Sequence, residues 1–131
     1  MKPVMQTLFG PEDGDCFRAC LASIFDRDIE TVPHFCRKGN EPWSTDTQAW
    51  LAHEYGLGLL STMPIEAIEG LPKDSFIATL FTLPCHHLII GRSPRGISHS
   101  VVGLSGKIIH DPHPDNLGLV EVQTWEFFVK L

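Results

Sequence analysis

Cys16, His99 and Asp111 are the residues whose types and order suit nucleophilic chemistry at sulfur. Cys16 stands in Gly14-Asp15-Cys16-Phe17-Arg18-Ala19-Cys20-Leu21-Ala22-Ser23-Ile24-Phe25, where Phe17, Cys20 or Leu21, and Ile24 recur at helical spacing. The pattern predicts a helix that begins at Cys16, with the Asp15 side chain capping the free amides of its first turn. A thiol placed there lies at the positive end of the helix dipole, which favours the thiolate and lowers the thiol pKa. Taken alone, the same residue also fits a small side chain near a helix start.

His99 and Asp111 lie in the run Ser93 to Pro114, which reads as a β-hairpin. A three-residue connection Leu104-Ser105-Gly106, with Gly106 left-handed, makes Gly103 face Lys107 and sets His99 opposite Asp111. Opposed residues share a face, so the carboxylate can accept a hydrogen bond from the imidazole. A two-residue Ser105-Gly106 turn would send the carboxylate to the other face. The longer loop is preferred because Ser-Gly is not a favoured two-residue hairpin pair. An imidazole oriented by an acid is the general-base arrangement for a thiol or hydroxyl nucleophile, whereas His99 by itself also fits a satisfied, half-buried histidine.

The remaining polar residues are weighed on the same terms. Cys16 and Cys20 are one helical turn apart and seven histidines are available, but a second close ligand pair is missing and Cys36 and Cys85 are isolated, so no metal site is expected. Strand alternation puts His110 on the face away from Asp111, which makes His110 structural and His113 a cleft-edge residue. Arg95, next to Gly96 between two strands, either clamps a substrate carboxylate or is a solvated turn arginine. Trp43 and Trp50 read as core or groove wall.

These groups need elements to position them. Asp28 to Pro33 reads as a short helical turn closed by proline. Ser44-Thr45-Asp46 offers caps for a second helix, Thr47 to Tyr55, which packs through Trp50, Leu51 and Tyr55 and ends at Gly56. The second half changes to short β-favouring runs at Leu57 to Thr62, Phe76 to Leu83, His87 to Gly91, His99 to Gly103, Lys107 to Asp111 and Glu126 to Leu131. Helices first and strands second predict an α+β domain, with the N-terminal helices packed on an antiparallel sheet.

The chain has 131 residues, which fits a single domain able to bury one core. A net charge of -6, with only 10 Lys and Arg, argues against a nucleic-acid or anionic-membrane surface. No apolar run approaches the roughly eighteen residues of a membrane span, and no export signal is seen, so a cytoplasmic protein with free thiols is expected.

Asp15-Cys16 with a helix containing Ala19-Cys20-Leu21, then His99-Ser100-Val101-Val102-Gly103, then His110-Asp111-Pro112, resembles the papain-like cysteine peptidase superfamily, in particular its small bacterial and phage C39-like members. Members keep the order Cys, His, then Asp or Asn, with the Cys on the N-terminal helix and the other two on adjacent strands. The resemblance implies one papain-like domain over 1–131, with Cys16 as nucleophile, His99 as general base and then acid, and Asp111 as the orienting group. Because the family commonly uses Asn at that last position, Asp111→Asn is expected to leave the fold nearly intact. The resemblance also implies an oxyanion hole made by the Cys16 amide and an upstream Gln. The candidate here is Gln6, which requires the intervening loop to fold back; otherwise Gln6 is an exposed terminal residue. Where C39-like members often have Asp-Cys-Gly, this chain has Asp-Cys-Phe, so Phe17 is expected to reshape the cleft beside Trp43 and Arg95. The implied activity is hydrolysis or acyl transfer at a peptide, isopeptide or amide bond, without a cofactor. The alternative is an inactive papain-like fold that binds a peptide or partner protein.

Overall fold

Small side chains set how closely the first helix approaches the sheet. Helix α1 spans Cys16–Ile24 and buries Phe17, Ala19, Cys20, Leu21, Ala22 and Ser23. Against them pack Leu88 and Val102 of the sheet, together with Ile29, Val32 and Phe35 from the segment that follows. Ser23 stays satisfied inside this contact by donating to Ala19 O at 2.8 Å. A 3₁₀ turn, Ile29–Thr31, comes next, and helix α2 follows over Trp43–Tyr55.

The computed structural model describes residues 1–37, 42–64, 70 and 84–131. The run Phe76 to Leu83, expected as a strand, lies outside the described residues. Helix α2 starts at Trp43, earlier than the expected Thr47, and no side chain caps it. Ser44, Thr45 and Asp46 are therefore inside its first turn. Its end is as expected, since Gly56 adopts φ 66° and so closes the helix in the left-handed conformation that a glycine allows. Gln48 on α2 binds the backbone of Leu59, donating to its carbonyl at 2.7 Å and accepting from its amide at 2.8 Å. That amide pair occupies the free edge of the first strand.

Five strands form one antiparallel sheet: β1 Leu57–Thr62, β2 His86–Arg92, β3 Ser98–Leu104, β4 Lys107–His110 and β5 Glu121–Lys130, in the spatial order β1-β5-β2-β3-β4. The architecture is α+β, with two helices packed on the sheet. Alternation along the strands sends Leu88 and Val102 toward α1 and sends Ile89, Val101, Trp125 and Phe127 to a second cluster. Among the described residues, no helix is long and apolar enough to cross a membrane.

The β3–β4 connection corrects the expected register. Leu104 pairs with Lys107 and Gly103 with Ile108, so the turn is the two-residue Ser105-Gly106. Both residues take positive φ, 51° and 80°, as the twist-matched hairpin turn demands. The alanine-like bulk of a Cβ is what Gly106 avoids: it would lie 2.5 Å from a ring carbon of Trp125. The Gly106 amide donates to Nε2 of buried His87 at 3.1 Å, tying the turn to β2. One step further the pairing shifts, because Val102 faces His110 and Ile109 is left as an extra, bulged residue. A turn one residue shorter than expected and a bulge one residue longer cancel in parity. Asp111 thus returns to the side of β3 that carries His99.

Gly106→Ala should cost about 2–4 kcal/mol, from left-handed strain plus the clash with Trp125. Urea unfolding measures this, and a loss below about 1 kcal/mol would mean that the turn relaxes without the Trp125 contact.

Candidate active site

The site starts from the way the chain before α1 is held. The Asp15 carboxylate is fully buried and makes no cap to its own helix. It turns back instead, accepting from the amides of Thr7 and Leu8 at 2.9 Å each and from the Thr7 hydroxyl at 2.8 Å. Arg18 stands 3.8 Å from it. The capping role expected of Asp15 is therefore replaced by a clamp on residues 7 and 8, which satisfies the buried carboxylate. Gln6 follows from the clamp. Its amide donates to Pro112 O at 3.0 Å, its side chain donates to Leu8 O at 2.8 Å, and it is 8% exposed. The loop folds back as required, and Gln6 is not an exposed terminal residue.

A cavity of about 640 Å³ opens between this folded-back loop, the first turn of α1 and the β2–β3 turn, and Gln6, Cys16, Phe17, Trp43, Arg95 and His99 are among its lining residues. Phe17 packs edge-on against Trp43, with ring centroids 5.6 Å apart, and the pair forms an apolar wall. Arg95 pairs with Asp115 at the rim of the cavity and is partly exposed.

Behind this lining, His99 Nε2 lies 2.7 Å from Asp111 Oδ1, both residues being buried. A carboxylate only accepts, so Nε2 carries the proton and Nδ1 holds the lone pair. Asp111 Oδ1 also accepts from the His113 amide at 2.9 Å, and Oδ2 accepts from the Gly118 amide at 2.8 Å. Burial alone would raise the Asp111 pKa, but these donors outweigh it and hold the carboxyl below its ordinary value. Burial lowers the His99 pKa, with the Asp111 bond pulling the other way. His99 is thereby a neutral base near pH 7.

Cys16 differs from the expected pre-formed thiolate. Burial pushes its thiol above the ordinary value, and the nearby Asp15 charge adds to that. Opposing them are hydrogen bonds from the Ser100 amide, the Ser100 hydroxyl and the Phe17 amide. The helix terminus supplies donors, as position predicts, but desolvation is the larger effect. Cys20 is shifted well upward by complete burial, and Cys36, another lining residue, is pushed up to about 12, chiefly by burial.

Ser100 and Cys36 also line the cavity, and the sequence reading did not place them there. Alternation with Val102 carries the signal for Ser100, since it places the side chain on the α1 face. His113 contributes to the lining and takes the Asp115 amide on Nδ1 at 3.1 Å, in keeping with a cleft-edge position. His110 binds Val4 O at 2.8 Å, which is a structural role. Among the described residues, no three His, Cys, Asp or Glu side chains are grouped to hold a metal ion.

Comparison with family models, with curated proteins and with solved structures found no match for this chain.

The donors around Asp111 revise one expectation from sequence. An Asn at 111 must place its NH₂ against at least one of the three N–H groups that the carboxylate now accepts. Asp111→Asn should therefore lose about 1–3 kcal/mol, the cost of a buried donor without an acceptor. Thermal melting checks this, and wild-type stability would show that the 111–118 turn rearranges freely.

Proposed function

We propose that the protein is a papain-like thiol enzyme of the C39-like type, acting on a peptide, isopeptide or amide bond through a thioester on Cys16. The single observation that supports this reading most is the buried His99–Asp111 hydrogen bond beside the cleft that Cys16 and His99 both line.

Because the Cys16 thiol is held above its ordinary pKa, it enters the reaction protonated. His99 Nδ1 takes the proton as Sγ attacks the carbonyl carbon. Asp111 keeps the ring in the tautomer that allows this and offsets the imidazolium charge. The tetrahedral oxyanion is met by the Cys16 amide and by the one Gln6 side-chain N–H not engaged by Leu8. As the C–N bond breaks, His99 delivers the proton to the departing amine, leaving an acyl group on sulfur. Water or another nucleophile then gives its proton to His99 and opens the thioester, and Cys16 recovers its thiol. Phe17, Trp43 and Arg95 form the walls along which the substrate lies. A peptide or protein substrate, met in the cytoplasm, completes the reading.

Incubation with the p-nitrophenyl ester of an N-acetylated dipeptide should add one acyl group to the intact protein, mapping to Cys16 and released by hydroxylamine. Cys16→Ala should abolish the adduct, and His99→Ala should slow it about a hundredfold, within the usual range for general-base catalysis. No adduct, or one insensitive to Cys16→Ala, would leave the cleft as a peptide-binding module.

A further inference from the structure

His113 takes part in none of the steps above, yet it lines the same cavity as Cys16 and His99. Its ring meets that of His99 edge-on, with centroids 6.2 Å apart, and meets Phe9 edge-on at 5.3 Å. Its backbone amide donates to Asp111 Oδ1 at 2.9 Å, which ties it to the acid that orients the base. Nδ1 accepts from the Asp115 amide at 3.1 Å, so in the neutral ring the proton sits on Nε2. In the imidazolium both nitrogens carry a proton, and Asp115 Oδ1, 3.1 Å from Nδ1, is placed to accept from it. Nε2 is therefore a donor in either state. Among the described residues it has no hydrogen-bond partner, and the side chain is 19% exposed, so the cleft is open to it.

We propose that His113 is a substrate-binding residue whose Nε2–H donates to a backbone carbonyl of a peptide chain lying in the cleft, a second anchor beside the bond that Cys16 attacks. The inference rests on the reading of the cleft as a peptide site and deepens it. An extended peptide advances about 3.3–3.6 Å per residue. A ring 6.2 Å from that of His99 thus falls within two residues of the attacked carbonyl. A substrate that covers the N–H without offering an acceptor leaves a desolvated donor unpaired, which costs affinity, so the site selects for a chain with a carbonyl at this place. The Arg95 charge is already matched by Asp115, so this wall suits an uncharged acceptor better than a carboxylate.

The test compares acylation of Cys16 in the full chain by two esters. The p-nitrophenyl ester of N-acetyl-leucylglycine carries further carbonyls beyond the one attacked, and p-nitrophenyl acetate carries none. The ratio of the two rates cancels any effect of a substitution on Cys16 or His99 that both esters share. His113→Phe, which keeps a ring and removes the donor, should lower that ratio about five- to tenfold, the scale of one hydrogen bond. His113→Gln, which keeps an N–H at similar reach, should restore most of it. Should His113→Phe fail to fold, His113→Met compared with His113→Gln isolates the donor at similar length, and the same loss is expected between them. A ratio indifferent to the donor overturns the proposal, even if Cys16 is acylated normally. If neither ester acylates Cys16, the enzyme reading falls, and binding of N-acetyl-leucylglycinamide decides the role of His113: a five- to tenfold weaker Kd in His113→Phe supports it, and an equal Kd rejects it.

Discussion

A buried carboxylate, that of Asp15, is the constraint from which the cleft is built. Removed from water, it must be met by donors, and the donors it has are the Thr7 amide and hydroxyl and the Leu8 amide. Satisfying them forces residues 6–8 to run back past the start of α1. The same strap also binds the end of β4, with the Gln6 amide on Pro112 O and His110 on Val4 O. One charged side chain therefore connects the helix carrying Cys16 to the turn carrying Asp111, and the loop between Gln6 and Cys16 becomes a wall of the cavity.

The chemistry of the cleft follows from how well it is shielded. Desolvation pushes the Cys16 thiol up and the His99 imidazole down, so the resting pair is thiol and neutral base, not thiolate and imidazolium. Under the proposed function, such groups would react by proton transfer during attack, which depends on how the base is aimed. Asp111 supplies that aim, and its backbone donors from His113 and Gly118 keep it ionised despite burial. The order in the cleft lies in a buried imidazole held by Asp111 and in the edge-on pair of Phe17 and Trp43 that walls it.

Much of the fold was legible because helix and strand periodicities are local. The start of α1 at Cys16, β1 at Leu57–Thr62 and the Gly56 helix end are set by apolar spacing and by glycine. The His99–Asp111 contact was also legible, although for a reason that the hairpin does not share. A Ser105-Gly106 turn and the Ile109 bulge each shift parity by one, and neither leaves a strong mark in the sequence. Asp15 was misassigned because its proximity to a helix start suggests a cap, while its real partners are set by long-range folding of residues 7 and 8. The raised thiol of Cys16 escaped for the same cause: helix position can be read from sequence, but the depth of burial cannot.

The central claim is that His99 acts as the base for a protonated Cys16, and the pH dependence of Cys16 modification by a neutral electrophile tests it most directly. Burial lowers the His99 pKa below its ordinary 6.5, so the wild-type rate should rise as pH increases through that lower value and then level off. A second rise should come only above 9, the ordinary thiol value that burial at Cys16 exceeds. His99→Ala should lose the acidic limb and the plateau and keep only the alkaline rise. Superimposable profiles for the two proteins would contradict the account.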